Sequence, residues 1–394
     1  MAKKLLFSIF LLVGILLFGS GAVLPASSRD GEQLTRKIVV YKNEIKEEKI
    51  EKYGGIKIKR LKSINADVAF LTKSAVKILE QDPDILRVDD DIEINALDRD
   101  MAALKTPAPS QPSQSLPWGI DRIDADLAWG TTAGDPVKVA VIDTGIELSH
   151  PDLKNNIKGG YNTINPLKSA NDDNGHGTHV AGIIAAENNS IGVIGAGPQI
   201  DLYAVKALDR RGSGYLSDII EGIDWAIANG VQVINMSLGT TTDIQSFHDA
   251  VIRANVAGIV QVAAAGNDGL AVNYPAAYPE VIAVSATDST DAITSWSSRG
   301  PEVDLAAPGL SIYSTYKGQT YRTLSGTSMA APHVAGTAAL VLAQIAKCDT
   351  DSSGSCSPAE VQNRLQATAE DLGIAGPDGL YGYGLVDAYA AVTQ

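Results

Sequence analysis

The sequence predicts an α/β protein with a mostly parallel central sheet, preceded by a small α+β domain. Apolar, β-branched runs lie at 137–142, 231–236 and 259–265 and end in polar or glycine-bearing loops, as is typical of buried parallel strands. The charge balance also changes along the chain. Between Arg29 and Glu93 there are 14 basic and 14 acidic residues, but from Asn95 onward there are 16 and 32. Two folded units are therefore expected.

Residues 1–26 have the pattern of a secretory signal peptide. Lys3 and Lys4 precede an apolar run from Leu5 to Phe18, which is short for a membrane span. We expect cleavage near Ala22 or Ala26 and a secreted product without a membrane anchor. A retained anchor is the alternative.

The first domain is predicted from alternating strand and helix signals. Its strands are expected at 37–41, 56–61, 68–71 and 86–94, and its helix at 73–81. Lysines alternate along the second strand, which is more typical of a solvated face than of nucleic-acid binding. The acidic balance of the larger domain argues against a nucleic-acid partner as well.

Polar side chains with catalytic potential follow the predicted strands of the second domain. Asp143 ends the first run, Asn267 follows the third, and Ser328 begins a long apolar helix, where its hydroxyl is expected to be exposed. His176 and His179 lie at the start of a small-residue helix, and composition does not choose between them. Because strand ends meet at one edge of an open α/β sheet, an acid, a base and a nucleophile can converge there.

Three segments around these residues, at 139–145, 176–182 and 326–330, resemble signatures of the subtilisin family of serine proteases. The resemblance runs from about Gln114 to the C-terminus, with the residues in the order Asp, His, Asn, Ser. It implies a three-layer subtilisin-like fold. It also implies that His176 is the base and that His179 is a core histidine.

The resemblance implies a secreted endopeptidase that acts on proteins and peptides through an acyl-enzyme. Ser328 would attack the scissile carbonyl while His176 takes its proton, and Asp143 would orient the imidazole. Asn267 and the backbone N–H of Ser328 would stabilise the oxyanion.

Two edges are expected to pair with an extended substrate, by resemblance to the family. They are formed by Ser237, Leu238 and Gly239 and by Gly212, Ser213 and Gly214. Gly266 and Asn273 are expected at the primary pocket. Asn273 replaces a glycine that is usual there, so we expect a preference for medium apolar residues over large aromatic ones.

Residues 29–97 resemble the inhibitory and chaperone propeptide of this family, which makes the chain's own first domain an intramolecular inhibitor. The cut is expected between Leu97 and Asp98, with Leu97 and Ile94 in the first and fourth subsites. Residues 98–113 are predicted to be a linker that is trimmed further, and residues 114–394 the catalytic domain, acting as a monomer.

The resemblance also implies two cation sites, with Ca²⁺ as the expected ion. The tight calcium site is expected to be formed by Gln114, Asp152, Glu187, Asn189, Ile191 and Val193. The weaker cation site is expected at Ala276, Tyr278, Val281, Glu302 and Asp304. For the tight site, a calcium-free loop is the alternative.

Residues 349–360 have the spacing of an EF-hand calcium loop between predicted helices at 338–347 and 358–367. The candidate ligands are Asp349, Asp351, Ser353, Ser355, Ser357 and Glu360. A solvated Ser/Gly loop is the alternative, since a cysteine replaces the usual apolar residue at position 8.

The two cysteines, Cys348 and Cys356, are the only ones in the chain. Together with the secretory signal, this favours a disulfide, and free buried thiols are the alternative.

The sequence disfavours two other functions. A catalytically silent binding protein is disfavoured by the intact set of four residues, and an esterase of the α/β-hydrolase type would need the order Ser, acid, His.

Overall fold

The first unit of the computed structural model is a four-stranded antiparallel sheet covered by two helices. The structure describes residues 32–45, 48–97 and 111–394. The strand order is β2-β3-β1-β4. The strands are β1 (Thr35–Tyr41), β2 (Ile56–Leu61), β3 (Ala66–Leu71) and β4 (Ile85–Asp90). The helices are α1 (Glu48–Lys52) and α2 (Lys73–Glu80). The signal peptide predicted at 1–26 lies outside the described residues.

The predicted closing strand at 86–94 is wrong as a single element. It divides into β4 and a separate strand, β5 (Glu93–Ala96), which joins a different sheet. Asp91 lies between them and is buried, because its carboxylate accepts hydrogen bonds from Ser217 N and Oγ in the second unit. Helix α1 was not predicted from the sequence.

The second unit is built on a seven-stranded parallel sheet with the order β14-β13-β12-β10-β6-β8-β7. These strands are β6 (Lys138–Asp143), β7 (Ile157–Asn162), β8 (Asp201–Lys206), β10 (Val233–Met236), β12 (Val260–Ala264), β13 (Ile282–Thr287) and β14 (Leu305–Pro308). The shorter strands are β9 (Ser213–Tyr215), β11 (Leu238–Gly239), β15 (Ile312–Tyr316) and β16 (Thr320–Leu324). The helices are α3 (Trp118–Arg122), α4 (Ala125–Ala128), α5 (His176–Ala185), α6 (Leu216–Ala228), α7 (Gln245–Val256), α8 (Thr327–Leu342), α9 (Pro358–Thr368) and α10 (Ala388–Thr393).

Successive residues of the central strands face opposite layers of helices. In β6, Val139 and Val141 belong to the apolar cluster that contains α5 and α8. Ala140 and Ile142 belong to the cluster that contains α6 and α7. Because a strand buried on both faces must be apolar at every position, this arrangement accounts for the continuous apolar runs in the sequence. The predicted three-layer α/β fold is confirmed.

The first unit packs on α6 and α7. Ile38 and Val68 of its sheet belong to the same apolar cluster as these helices. The Asp91 carboxylate accepts a hydrogen bond from Ser217 N at the start of α6. The Asp89 carboxylate accepts hydrogen bonds from Ser246 N and Oγ at the start of α7. Lys59 pairs with Asp218 and Glu221 on α6. Carboxylates at helix N-termini are favourable because the first N–H groups of a helix have no partner within it.

The described residues contain no helix that is both long and apolar enough to cross a membrane.

Candidate active site

Asp143 and His176 meet at the carboxyl edge of the sheet. Asp143 is the last residue of β6, and His176 is the first residue of α5. His176 Nδ1 lies 2.8 Å from Asp143 Oδ1 and 2.9 Å from Oδ2. Both residues are buried. A neutral imidazole donates from one nitrogen only, so this contact assigns the proton to Nδ1 and leaves Nε2 as the basic atom.

The start of α5 is held by Asp172. Its Oδ1 accepts from Asn174 N and Gly175 N, both at 2.9 Å, and its Oδ2 accepts from Thr178 N and Oγ1 at 3.0 and 2.6 Å. Burial raises the pKa of Asp172, whereas these hydrogen bonds lower it. The carboxylate thus fixes the turn that delivers His176.

His179 lies one turn further along α5 and is fully buried. Its Nε2 is 3.1 Å from Ile312 O and 3.0 Å from Arg322 O. Burial lowers the pKa of His179 to about 3. These contacts agree with the prediction of a core histidine.

Ser328 is buried, so the expectation of an exposed hydroxyl is wrong. Its Oγ donates to Ser237 O at 3.0 Å. The same carbonyl accepts from Leu97 N at 3.2 Å. Leu97, which follows β5, therefore lies beside the serine.

Asn267 is oriented by Thr327, a residue that sequence reasoning missed. Thr327 N and Oγ1 both donate to Asn267 Oδ1 at 2.9 Å. With its oxygen engaged in this way, the amide turns its nitrogen to the opposite side. Asn267 Nδ2 donates to Leu97 O at 2.6 Å. Thr327 lies within the serine motif, but no spacing in the sequence reveals this contact.

The two predicted substrate edges enclose residues of the chain itself. Strand β5 lies between β9 and β11 and is antiparallel to both. Ile94 is opposite Gly214, and Ala96 is opposite Leu238. Ala96 N also donates to Gly212 O at 2.9 Å. Residues 93–97 are thus held as an extended peptide between two backbone edges.

The side chain of Leu97 lies against Gly239 and Asn273. A Cβ on Gly239 would be 3.0 Å from Leu97 Cδ1 and 3.2 Å from Asn273 Cβ. A Cβ on Gly266 would be 3.0 Å from Asn273 Nδ2. Gly239 therefore lies beside both Leu97 and Asn273, and Gly266 lies beside Asn273. Ile94 is fully buried, and Asp98 lies outside the described residues.

The six residues of the predicted tight calcium site come together. Gln114 Nε2 donates to Glu187 O at 2.7 Å and to Val193 O at 3.0 Å. The remaining contacts are Asn189 Nδ2 to Asp152 Oδ1 at 2.8 Å, Val193 N to Asp152 Oδ2 at 2.9 Å and Ile191 N to Asn189 Oδ1 at 2.7 Å. Two backbone carbonyls and the Asp152 carboxylate thus lie around the side-chain amides of Gln114 and Asn189. Carbonyl, carboxylate and amide groups of this kind can supply the oxygen ligands that Ca²⁺ prefers. Burial raises the pKa of Asp152 to about 6.

The N-terminal edge of this site begins earlier than the predicted boundary at Gln114. Gly192 N donates to Pro112 O at 2.8 Å. Tyr321 Oη donates to Gln111 Oε1 at 3.0 Å. Residues 111–113, which were predicted to be linker, therefore pack against the second unit.

The weaker cation site stays a prediction. Asp304 accepts from Ala283 N and from the side-chain amides of Gln362 and Gln366. Burial raises the pKa of Asp304 to about 6. Glu302 is exposed, and Tyr278 O accepts from Val281 N.

In the EF-hand-like segment, carboxylate oxygens of Asp349, Asp351 and Glu360 lie within 4.8 Å of one another. Glu360 also caps α9 together with Ser357. The pKa of Glu360 is lowered to about 2, chiefly by the hydrogen bond from the Thr350 hydroxyl. Calcium binding by this segment remains a prediction.

Cys348 and Cys356 lie at bonding distance, with Cα atoms 5.5 Å apart.

The sequence is similar to those of known proteins. Residues 134–384 match the model of the subtilase family. The chain is 43% identical to a thermostable alkaline protease of Halalkalibacterium halodurans, covering 92% of this chain and 93% of that relative. It is 44% identical to subtilisin E of Bacillus subtilis, covering 88% and 85%. It is 41% identical to the minor extracellular protease Epr of Bacillus subtilis over its whole length, which spans 59% of Epr. The chain therefore belongs to the subtilase family and is a subtilisin-like serine peptidase.

Proposed function

We propose that the chain is the precursor of a secreted serine endopeptidase, which hydrolyses peptide bonds in proteins and first cleaves itself between Leu97 and Asp98. The observation that carries this proposal is the 2.6 Å contact from Asn267 Nδ2 to Leu97 O. It puts an amide donor on the carbonyl oxygen of the residue that would be the acyl group in self-cleavage.

Ser328 is the proposed nucleophile and His176 the base. His176 Nε2 takes the proton of the Ser328 hydroxyl as Oγ attacks, and later gives it to the leaving amine. Asp143, bound to Nδ1, stabilises the imidazolium that forms in between. Asn267 Nδ2 and the backbone N–H of Ser328 stabilise the oxyanion.

Substrates bind as a third strand between β9 and β11. Backbone pairing gives affinity with little demand on side chains, which suits a peptidase that acts on many proteins. Selection then depends on the first and fourth subsites, occupied here by Leu97 and Ile94. The positions of Leu97 and Asn273 beside Gly239 support a preference for medium apolar residues at the first subsite.

Residues 29–97 act as an intramolecular inhibitor until they are released. Strand β5 fills the substrate cleft, and the sheet before it packs on α6 and α7. An inhibitor held by both contacts remains bound after the peptide bond is cut. Release of the inhibitor then requires that both contacts break, so that the whole first unit leaves the catalytic domain.

Calcium would be held by Gln114, Asp152 and Asn189 with backbone oxygens of Glu187, Ile191 and Val193. When bound, the ion would neutralise the buried Asp152 carboxylate and tie the loop at 187–193 to Gln114. Secretion is supported by the leader-like residues 1–26 and by one relative that is named as an extracellular protease. The two cysteines would then form a disulfide in an oxidising compartment.

One experiment tests the central claim. The full chain and its Ser328→Ala variant are expressed with calcium, and the N-terminus and the hydrolysis of a peptide anilide are measured. We expect the wild-type chain to be cut after Leu97 and to be active, whereas the variant stays whole and inactive. A first cut upstream of Ala96, or turnover by the variant, would refute the proposal.

A further inference from the structure

A buried lysine with no role in the proposed chemistry lies beside the candidate acid. Lys206 is the last residue of β8 and pairs across the sheet with Asp143, the last residue of β6. Only 6% of Lys206 is exposed. A lysine is seldom buried unless its ammonium is paired, because an ammonium loses favourable hydration inside a protein. Its partners therefore indicate what it does.

The ammonium of Lys206 joins three segments of the site. Nζ donates to Asp173 Oδ1 at 2.6 Å, to Thr144 O at 2.7 Å and to Leu208 O at 3.0 Å. An ammonium has three donors, and these three acceptors satisfy all of them. The acceptors belong to the end of β6, to the loop before α5 and to the segment that leads to the substrate edge at β9.

Two of these contacts bear on the geometry of the Asp143–His176 pair. Thr144 N donates to Asp143 Oδ1 at 2.6 Å, and Thr144 Oγ1 accepts from Gly177 N at 2.9 Å. Asp173 directly follows the carboxylate that fixes the start of α5. Lys206 thus holds the loop before the histidine against the strand end that carries the acid.

We propose that Lys206 is a positioning residue for the Asp143–His176 pair and acts through Thr144 and Asp173. This inference rests on the proposed roles of the two residues in catalysis. Because a misplacement of about 1 Å between reacting groups can cost about 100-fold in rate, a link between the two supporting segments bears directly on turnover.

The same contact has an electrostatic consequence. Lys206 and Asp173 form an ion pair. Removing Lys206 leaves a negative charge three positions before His176, and removing Asp173 leaves a positive charge on the strand end that pairs with Asp143. A remaining negative charge raises the pKa of an imidazolium, and a remaining positive charge lowers it. Neither substitution alters the other titratable groups around the His176 segment. These are Asp143, Asp172, His179 with His333 beyond it, Tyr316 and Lys317.

The test compares Lys206→Met, Asp173→Asn and the double variant in the full, self-processing chain. Rates are expressed per serine titrated with an active-site reagent, so that misfolded protein does not count. Lys206→Met is expected to lower kcat by roughly 10- to 100-fold with little change in KM. The acid limb of its kcat/KM profile should move to higher pH. In Asp173→Asn the acid limb of the kcat/KM profile should move to lower pH. In the double variant, which lacks both charges, it should return towards the wild-type position.

Lys138→Met is the matched control, because Lys138 lies at the opposite end of β6 and donates to Asn229 O. It should keep the wild-type kcat and pH profile. Wild-type kcat and an unshifted acid limb in both Lys206→Met and Asp173→Asn would overturn the proposal. If Lys206→Met does not accumulate, Asp173→Asn decides alone, since that carboxylate is 56% exposed and its loss leaves no cavity.

The proposed function can fail separately from this inference. Reaction of the wild-type chain with the serine reagent, and its loss in Ser328→Ala, depend on the nucleophile and not on Lys206. A chain that passes this check but shows no effect of Lys206→Met and Asp173→Asn retains the proposed function and loses only the positioning role.

Discussion

Asn267 donates its side-chain amide to Leu97 O at 2.6 Å, while Thr327 holds the oxygen of the same amide from the other side. The donor is thus fixed before any charge develops on the carbonyl. A preorganised donor of this kind stabilises a transition state without reorganisation at the moment of reaction.

Replacing Asn267 by leucine should therefore lower kcat more than it raises KM. Removing such a donor in subtilisin costs about 10²–10³ in kcat, and we expect a loss of that size. Peptide anilide kinetics measure it. Asn229→Ala is a control, since Asn229 is exposed at the end of α6 and its carbonyl accepts from Lys138, at the end of β6 opposite to Asp143. A wild-type kcat in Asn267→Leu would contradict the assigned role.

Asn273→Gly should widen the pocket around Leu97. Asn273 Cβ lies close to the position that a Cβ on Gly239 would take, beside Leu97 Cδ1. Without this side chain, the ratio of kcat/KM for substrates with a large aromatic residue to that for substrates with leucine should rise by roughly 10-fold. A small change in pocket size has an effect of this order. A series of anilides that differ only in the residue before the cut measures this ratio. An unchanged preference would show that Asn273 does not limit the pocket.

Chelation of calcium should destabilise the protein through Asp152. In the Ser328→Ala background, which avoids self-digestion, removing free calcium held at 100 to 1,000 times Kd should lower the free energy of unfolding by about 3–4 kcal/mol. Asp152→Asn should abolish most of this difference. Asp351→Asn is the comparison variant from the EF-hand-like segment. If Asp351→Asn removes the calcium effect and Asp152→Asn does not, the tight site has been assigned to the wrong loop.

Stability should fall on acidification partly because of His333. This histidine is fully buried on α8, its Nδ1 donates to Met329 O, and burial lowers its pKa to about 4. The unfolded chain therefore binds a proton at higher pH than the folded chain. The stability due to neutral His333 is complete above about pH 6.5 and is lost as pH falls towards 4.

In Ser328→Ala protein, the free energy of unfolding between pH 4 and 7 tests this contribution. The additional substitution His333→Phe should make its dependence on pH less steep by up to one proton. An equally steep dependence would mean that other groups, such as His179, account for the loss.

The four candidate site residues could be predicted because each belongs to a local pattern, such as the run that ends at Asp143 or the small residues around Ser328. The division between β4 and β5 could not. It depends on Asp91 binding Ser217, which is 126 positions away in the chain. The contacts of Lys206 could not be predicted for the same reason, since its three acceptors come from segments that only the fold brings together.

The segment at 111–115 contacts the 190–193 loop while Leu97 still lies against Asn267. Thirteen residues separate Leu97 from Gln111, and a chain of that length spans at most about 45 Å. Each docked segment has hydrogen bonds that do not depend on the Leu97–Asp98 bond. We therefore expect a cut there to change the covalent connectivity of the molecule more than its size, so that a denaturing measurement of chain mass is the way to detect the cleavage.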